Sequence, residues 1–336
     1  MSDENIDTYS AGVPATAARF PVVRQLVLLL LFLLILFVVV SGSPQALYNS
    51  LTDGSDLSAN VGAPVAEMPP VSQTLGVGDE SAIKLSARAA LVWDVNKGSV
   101  LFSKNADEVL PLASITKLMT ALVAFELVSG EKVVAVPTAA TKVQSPTGLQ
   151  DGEILTTKTL TNLTLIASSN DAAFALASAA GTVLGQSSQT DQFIYAMNIR
   201  AEEIGLPSLR FYNMTGLDQS PTEPGAVGTA KDISLLLQFI LKHYPDLLPV
   251  TTTEALRAYN TAGEFHDVNN TNPIISSIPN LLASKTGYTD LAGGNLIVAF
   301  DAGFNRPIII TVLGSSKQGR FSDVKKLVDA VTIPVE

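Results

Sequence analysis

Residues 26–40, LVLLLLFLLILFVVV, contain no polar side chain, and this run decides where a globular domain can begin in the 336-residue chain. Crossing the hydrocarbon core takes about 20 apolar residues, with a range of roughly 17–25. The run is short by itself, but Val22 and Val23 before it and Ser41 and Gly42 after it extend it. Arg19 and Arg24 precede it, which places the N-terminus in the cytoplasm by the positive-inside rule. An uncleaved anchor is the favoured reading, because the leading segment is long, carries Asp3, Glu4 and Asp7, and shows no clear small-x-small site before PQALYNS. A cleaved signal peptide is the alternative. On either reading everything downstream is exported.

Behind the run, residues 44–80 are rich in Ser, Gly, Pro and Asp and have no apolar period, the composition of a flexible linker. A coil of that length spans about 30–35 Å end to end. The expected organisation is a cytoplasmic segment at 1–25, an anchor or signal segment at 26–43, the linker at 44–80 and one folded domain at 81–336.

Composition removes several classes of function. The chain has no cysteine, so it has no disulfide, no thiol nucleophile and no thiolate metal site. A formal net charge of −10 argues against a nucleic-acid partner, since phosphate binding needs a basic surface. The only histidines, His243 and His266, are too far apart to form a zinc motif, and no metal or cofactor is implied.

Within the domain, AALVWDV and SVLFSKN flank the turn signal NKG, predicting a β-hairpin over 90–96 and 99–104. A helix is expected from Ser114 to about Val128, then a mostly helical middle section. One of its helices opens on Thr229 with Asp232 three residues later, a capping-box-like start. LLASKTG, GNLIVAFDA and PIIITVLGS read as late strands, and a last helix runs from about Ser322 to Val331. Strands at both ends with helices between them predict an α+β fold, one antiparallel sheet completed by early and late segments.

The candidate nucleophile lies in PLASITKLMTAL, where Ser114 precedes Lys117 by three residues among apolar neighbours. Ser-x-x-Lys also occurs at Ser81/Lys84, Ser129/Lys132 and Ser322/Lys325, but these fall in the linker end, a glycine turn and a polar helix face. A histidine base is disfavoured: His266 sits in a polar, loop-like stretch, and a cationic His243 in the last turn of a helix has a plain electrostatic explanation. Lysine remains, yet its ordinary pKa near 10.4 keeps it protonated at neutral pH. Burial lowers that value, and so does a second cation. Two unit charges about 5 Å apart at an effective dielectric of about 20 repel by roughly 3 kcal/mol, a little over two pKa units. The scheme therefore wants a buried pair on one helix face, which positions i and i+3 supply, and another lysine close by.

LLASKTGYTD supplies that lysine, Lys285, at a strand end. Thr286 adds a hydroxyl and Gly287 room for a substrate backbone, so the three together suit a carboxylate. IASSNDAAFA places Ser168 and Asn170 between two helices, where a plain helix cap is the bland reading. Ser-x-Asn recurs at Ser58/Asn60 and Ser103/Asn105, so the triplet alone says little.

Order carries more weight than any single motif: Ser-x-x-Lys, then Ser-x-Asn, then Lys-Thr-Gly is the three-part signature of penicillin-binding proteins and class A β-lactamases. PLASITKLMTAL, SSNDAAFALA, MTGLD and SKTGYTDLAGGNL closely resemble the low-molecular-weight D-alanyl-D-alanine carboxypeptidases, over about residues 82–331. The resemblance implies a β-lactamase/transpeptidase-like α+β domain, its antiparallel sheet flanked by helices with a mostly helical insert. It implies that Ser114 attacks the bond between the two terminal D-alanines of a peptidoglycan stem peptide, Lys117 takes its proton, and an acyl-enzyme forms. Ser168 and Asn170 would relay the proton and hold the substrate amide. Lys285 and Thr286 would orient the terminal carboxylate, with Gly287 and Arg320 beside it. The backbone N–H groups of Ser114 and Tyr288 would form the oxyanion hole. β-Lactams would be covalent inhibitors, and the N-terminal segment would hold the domain on the outer side of the cell membrane.

Two departures stand out. Ser169 occupies the middle of Ser-x-Asn, where glycine is common, and is expected to be tolerated because its side chain need not face the substrate. The chain also ends about 50 residues after Lys-Thr-Gly, so the β-rich C-terminal domain and terminal anchor of many relatives are expected to be missing, with the N-terminal hydrophobic segment replacing that anchor. A β-lactamase would need a Glu-x-x-Leu-Asn-type loop, which RAEEIGLPS, with Glu202 and Glu203, does not supply. A D,D-endopeptidase on the same fold and a non-catalytic muropeptide-binding relative remain as alternatives.

Overall fold

The computed structural model of the chain describes residues 83–185 and 188–332. The apolar run, the linker and the segment before them lie outside the described residues, as does Ser81. Among the described residues no helix is long and apolar enough to cross a membrane.

β1 (Ala89–Asp94) and β2 (Ser99–Lys104) form the expected hairpin, and Gly98 takes a φ of +57° in its turn. β3 (Leu110–Pro111) leads into a 3₁₀ turn at Ala113–Thr116 and then α1 (Lys117–Leu127). Next come β4 (Val133–Ala135), β5 (Ile154–Thr156), α2 (Thr157–Ile166), α3 (Asn170–Leu184), α4 (Gln189–Ile204), β6 (Arg210–Phe211) and β7 (Ala226–Gly228). α5 (Ala230–His243) is capped by Thr229, whose hydroxyl accepts from the Asp232 N–H. The chain closes with β8 (Ala255–Tyr259), β9 (Phe265–Asn269), β10 (Leu281–Thr289), β11 (Gly293–Asp301), β12 (Pro307–Ser315) and α6 (Gly319–Thr332).

Early and late strands pair as expected, in one antiparallel sheet of order β10-β11-β12-β1-β2, with the helical section inserted between them. Alternation along each strand feeds two cores. Leu91, Trp93, Ile297 and Ile309 face the helical side, while Val92, Val298, Phe300 and Ile310 face Val324 and Leu327 of α6. Both faces are covered, which is why these strands read as near-continuous apolar runs. Among the described residues β10 and β2 are the edges of this sheet, and the 3₁₀ turn bearing Ser114 lies against β10.

The start of the domain is stapled to its last helix. The carboxylate of Asp323, 1% exposed, accepts from the backbone N–H groups of Ser86 and Ala87 at 3.0 and 2.9 Å and from the hydroxyls of Ser86 and Ser315 at 2.8 Å. Asp323→Ala leaves two buried donors, the Ala87 N–H and the Ser315 hydroxyl, without their acceptor, and each such group costs about 1–3 kcal/mol. The expected outcome is a loss of about 2–4 kcal/mol by urea titration, large for a residue away from the site. An unchanged midpoint would show that the staple carries no stability.

Three local expectations are corrected. The α-helix begins at Lys117 rather than Ser114, because Ala113 takes a φ of +48° and the next residues form a tighter turn. His266 is not in a loop: it lies on β9, paired with Ala258 of β8, and its Nε2 is 2.7 Å from Glu153 Oε1. The alternation there is masked by a solvent face of Arg257, Tyr259, Phe265 and Asp267. His243 does end a helix, but burial, with Lys242 and Arg200 nearby, pushes its pKa down and so disfavours the cation.

Candidate active site

Ser114 and Lys117 meet although the turn joining them is not an α-helix. Lys117 is fully buried and its Nζ lies 2.9 Å from Ser114 Oγ. The same nitrogen donates to Asn170 Oδ1 at 2.8 Å and to the Thr215 carbonyl at 2.8 Å. Every N–H of an ammonium is thereby satisfied, and the neutral amine would have its lone pair free to accept the serine proton. Burial lowers the Lys117 pKa well below its ordinary value, and the Lys285 cation lowers it further, while Asp171 opposes both. These are the two effects that a lysine base requires.

The turn is shaped by what packs under it. Gly216, with a φ of +78°, lies so close to the Ala113 carbonyl that a Cβ there would fall 1.9 Å from its oxygen. Gly287 of β10 is less tight but still close: a Cβ there would fall 2.9 Å from the Leu112 carbonyl oxygen and 3.1 Å from the Ser114 nitrogen. The structure thus gives Gly287 a reason beyond substrate access, since it lets the nucleophile's turn approach the strand.

Lys285 is not at a strand end but in the middle of β10, because pairing with β11 continues to Thr289. It is 1% exposed, and its Nζ donates to Ser168 Oγ at 2.8 Å and to the Thr286 carbonyl at 3.1 Å. Burial first, and then the Arg320 cation, lower its pKa to about 7. Arg320 lies on α6, which starts at Gly319, earlier than expected. It donates through Nη1 to the Gly287 carbonyl, and its buried Nε has no partner in the described residues. Thr286 donates to Thr271 at 2.7 Å. Tyr288 is 42% exposed beneath the Lys317 ammonium.

Ser168 has a φ of +57° and bridges α2 to α3, and Asn170 is the first residue of α3. Asn170 accepts from Lys117 through Oδ1 and donates through Nδ2 to the Gln144 and Ser145 carbonyls at 2.9 and 3.3 Å. Ser169 caps α3 by accepting from the Ala172 N–H, its side chain buried. The structure therefore brings Ser114, Lys117, Ser168, Asn170, Lys285, Thr286, Gly287, Tyr288 and Arg320 into one connected region at the β10 edge. Beyond Tyr288 this edge opens into a cleft of about 530 Å³ lined by Gln144, Asp218, Pro221 and Asp290 among others.

Sequence reasoning missed Thr215, Asp171 and Thr271. Thr215 contributes only its carbonyl, from within MTGLD, and the Asn213 side chain accepts from the Thr215 and Gly216 N–H groups to fix that turn. Asp171 is buried, and its sequence signal, an acid in a first helical turn, is indistinguishable from ordinary macrodipole compensation.

Comparison with known proteins identifies the family. The family model of the D-alanyl-D-alanine carboxypeptidases, peptidase S11, matches residues 77–317, and the chain belongs to that family of serine D,D-peptidases. Among curated relatives, the D-alanyl-D-alanine carboxypeptidase DacF of Bacillus subtilis is 32% identical over 255 residues, 74% of this chain and 63% of that protein. A D-alanyl-D-alanine endopeptidase of Pseudomonas aeruginosa is 32% identical over 279 residues, 81% of this chain and 84% of that protein. The chain thus spans less than two thirds of the first and most of the second. In structure it is similar to penicillin-binding protein D2 of Listeria monocytogenes in its ampicillin-bound form, with a TM-score of 0.63 and 29% identity over 75% of this chain and 99% of that one.

Proposed function

We propose that the chain is a D-Ala-D-Ala carboxypeptidase that removes the terminal D-alanine from peptidoglycan stem pentapeptides. The observation that carries the reading is Lys117: a buried amine with a lowered pKa, 2.9 Å from a partly exposed serine hydroxyl and depressed further by a second lysine. Ser114 Oγ attacks the carbonyl carbon of the penultimate D-alanine as its proton passes to neutral Lys117 Nζ. The oxyanion is held by the N–H groups of Ser114 and Tyr288. The proton then travels through Ser168 to the departing nitrogen, the C–N bond breaks, and D-alanine leaves an ester on Ser114. Water hydrolyses that ester and restores the serine. Lys285, Thr286 and Arg320 hold the terminal carboxylate, and Asn170 the substrate amide.

A β-lactam presents a strained amide and a carboxylate to the same groups and would acylate Ser114. Residues 26–43 would tether the domain to the outer side of the cell membrane, with 44–80 as the leash.

A second reading, D,D-endopeptidase, is favoured by the fuller coverage of the Pseudomonas relative. Product analysis on purified muropeptides separates them. Carboxypeptidase action converts monomeric pentapeptide to tetrapeptide and leaves cross-linked dimers intact. Loss of dimers with pentapeptide untouched would reverse the assignment.

A further inference from the structure

Thr147, Ser169 and Asp171, beside the site, have no part in the chemistry above. Residues 144–148 are exposed, so no burial of apolar surface holds this stretch, and Leu149 is the first buried side chain in it. Polar contacts hold it instead, and they converge on Ser169, Asn170 and Asp171. The Asp171 carboxylate accepts from the backbone N–H groups of Thr147, Gly148 and Leu149 at 2.9, 3.0 and 3.1 Å. Thr147 Oγ1 lies 2.7 Å from both Ser169 Oγ and Asp171 Oδ1, and the Ser169 hydroxyl itself donates to Asp171. Between these two residues, Asn170 uses its amide nitrogen on the Gln144 and Ser145 carbonyls.

We infer that Ser169, Asp171 and Thr147 form a clasp that orients Asn170, and that all three are positioning residues for acylation. The argument follows from the two ends of one amide. With Nδ2 committed to the loop carbonyls, Oδ1 must face Lys117, where it accepts from the amine. Releasing the loop leaves Nδ2 without those acceptors and frees the amide to rotate, which removes one of the three partners that fix Lys117 Nζ. The loop also supplies Gln144 to the cleft beyond Tyr288, so the clasp sets one wall of the space for the remainder of a peptide substrate. Burial opposes ionisation of Asp171, but hydrogen bonds from Ser169, Thr147 and the loop backbone outweigh it and keep the carboxyl low, hence charged. That anion faces Lys117 from α3, opposite in sign to Lys285 on β10, whose own neighbour is Arg320 on α6.

The inference rests on the acyl-enzyme reading, so the test starts from the rate at which a fluorescent penicillin labels Ser114 in the full chain. An unlabelled wild type would overturn the functional reading itself. Given labelling, Thr147→Val is expected to slow acylation and to lower pentapeptide kcat/KM about tenfold, the scale of one hydrogen bond to a charged group. Thr147→Ser should restore both. Thr147 is exposed, so its variant removes no core packing, and an unchanged urea midpoint checks that the fold is kept. Asp171→Asn is expected to move the acid limb of the acylation profile to lower pH, because Lys117 loses the anion that favours its protonated form. Thr147→Val with rates within twofold of wild type would overturn the clasp. So would a folded Asp171→Asn protein whose acid limb has not moved.

Discussion

Ser114→Ala is expected to release no measurable D-alanine from a pentapeptide and to take up no penicillin label, while the folded protein still binds the peptide. A nucleophile that forms a covalent intermediate has no substitute in the site, and losses of about 10⁴-fold or more accompany its removal in serine hydrolases. Lys117→Ala is expected to fall nearly as far, by about 10³-fold in acylation, within the range for a general base held in place. The two variants differ in what remains. The alanine at 114 leaves Lys117 bonded to Asn170 and Thr215, whereas the alanine at 117 orphans a buried amide oxygen and a buried carbonyl. Lys117→Ala should therefore also lose stability, at about 1–3 kcal/mol for each acceptor left unpaired. D-Alanine release by Ser114→Ala at the wild-type rate, measured with a coupled D-amino-acid assay, would remove the assignment altogether.

The sheet and the nucleophile were legible in the sequence for different reasons. β1, β2, β11 and β12 carry apolar residues on both faces, so their pattern survives without any tertiary information, whereas Ser284, Lys285 and Thr286 interrupt β10 and made it read as ending early. Ser114 and Lys117 are local, three residues apart, and their hydrogen bond is set by one turn. What stayed hidden is held by contacts between distant segments. The Thr215 carbonyl reaches Lys117 from 98 residues away, and a carbonyl has no residue type to betray it. Asp171 looks like any acid that opens a helix until the 144–149 loop folds onto it. Gly287 gave the right signal for close approach, but the approaching group is the backbone of Ser114 itself rather than only a ligand. The β8–β9 hairpin was obscured because its inward face, Leu256, Ala258, His266 and Val268, is too weakly apolar to declare a period of two.

Lys285→Gln is expected to move the acid limb of acylation to higher pH by about one to two units, the size of a like-charge repulsion at close range in a partly polar interior. Burial is the larger cause of the low Lys117 pKa, so most of the depression should survive the substitution, and the limb should stop well short of an ordinary lysine. Binding of the substrate carboxylate weakens at the same time, but that appears in KM and has no pH signature of this direction. Stability supplies an independent check on the same charge. The folded-state pKa of Lys285 is about 7 against an ordinary 10.5, so between those values the unfolded chain binds more protons than the native one. Native stability must then rise with pH across that window, and its contribution is lost as pH falls through about 7. Lys285→Gln removes that titration. The gain in stability between pH 7 and 10, read from urea midpoints, should shrink in the variant. Because Lys117 loses its neighbouring cation in the same variant, its window of titration narrows from the acid side, which shrinks the slope further. A variant with the wild-type slope and an unmoved acid limb would mean that the two lysines do not sense one another. The Ser114–Lys117 pair would then depend on burial alone to run without histidine.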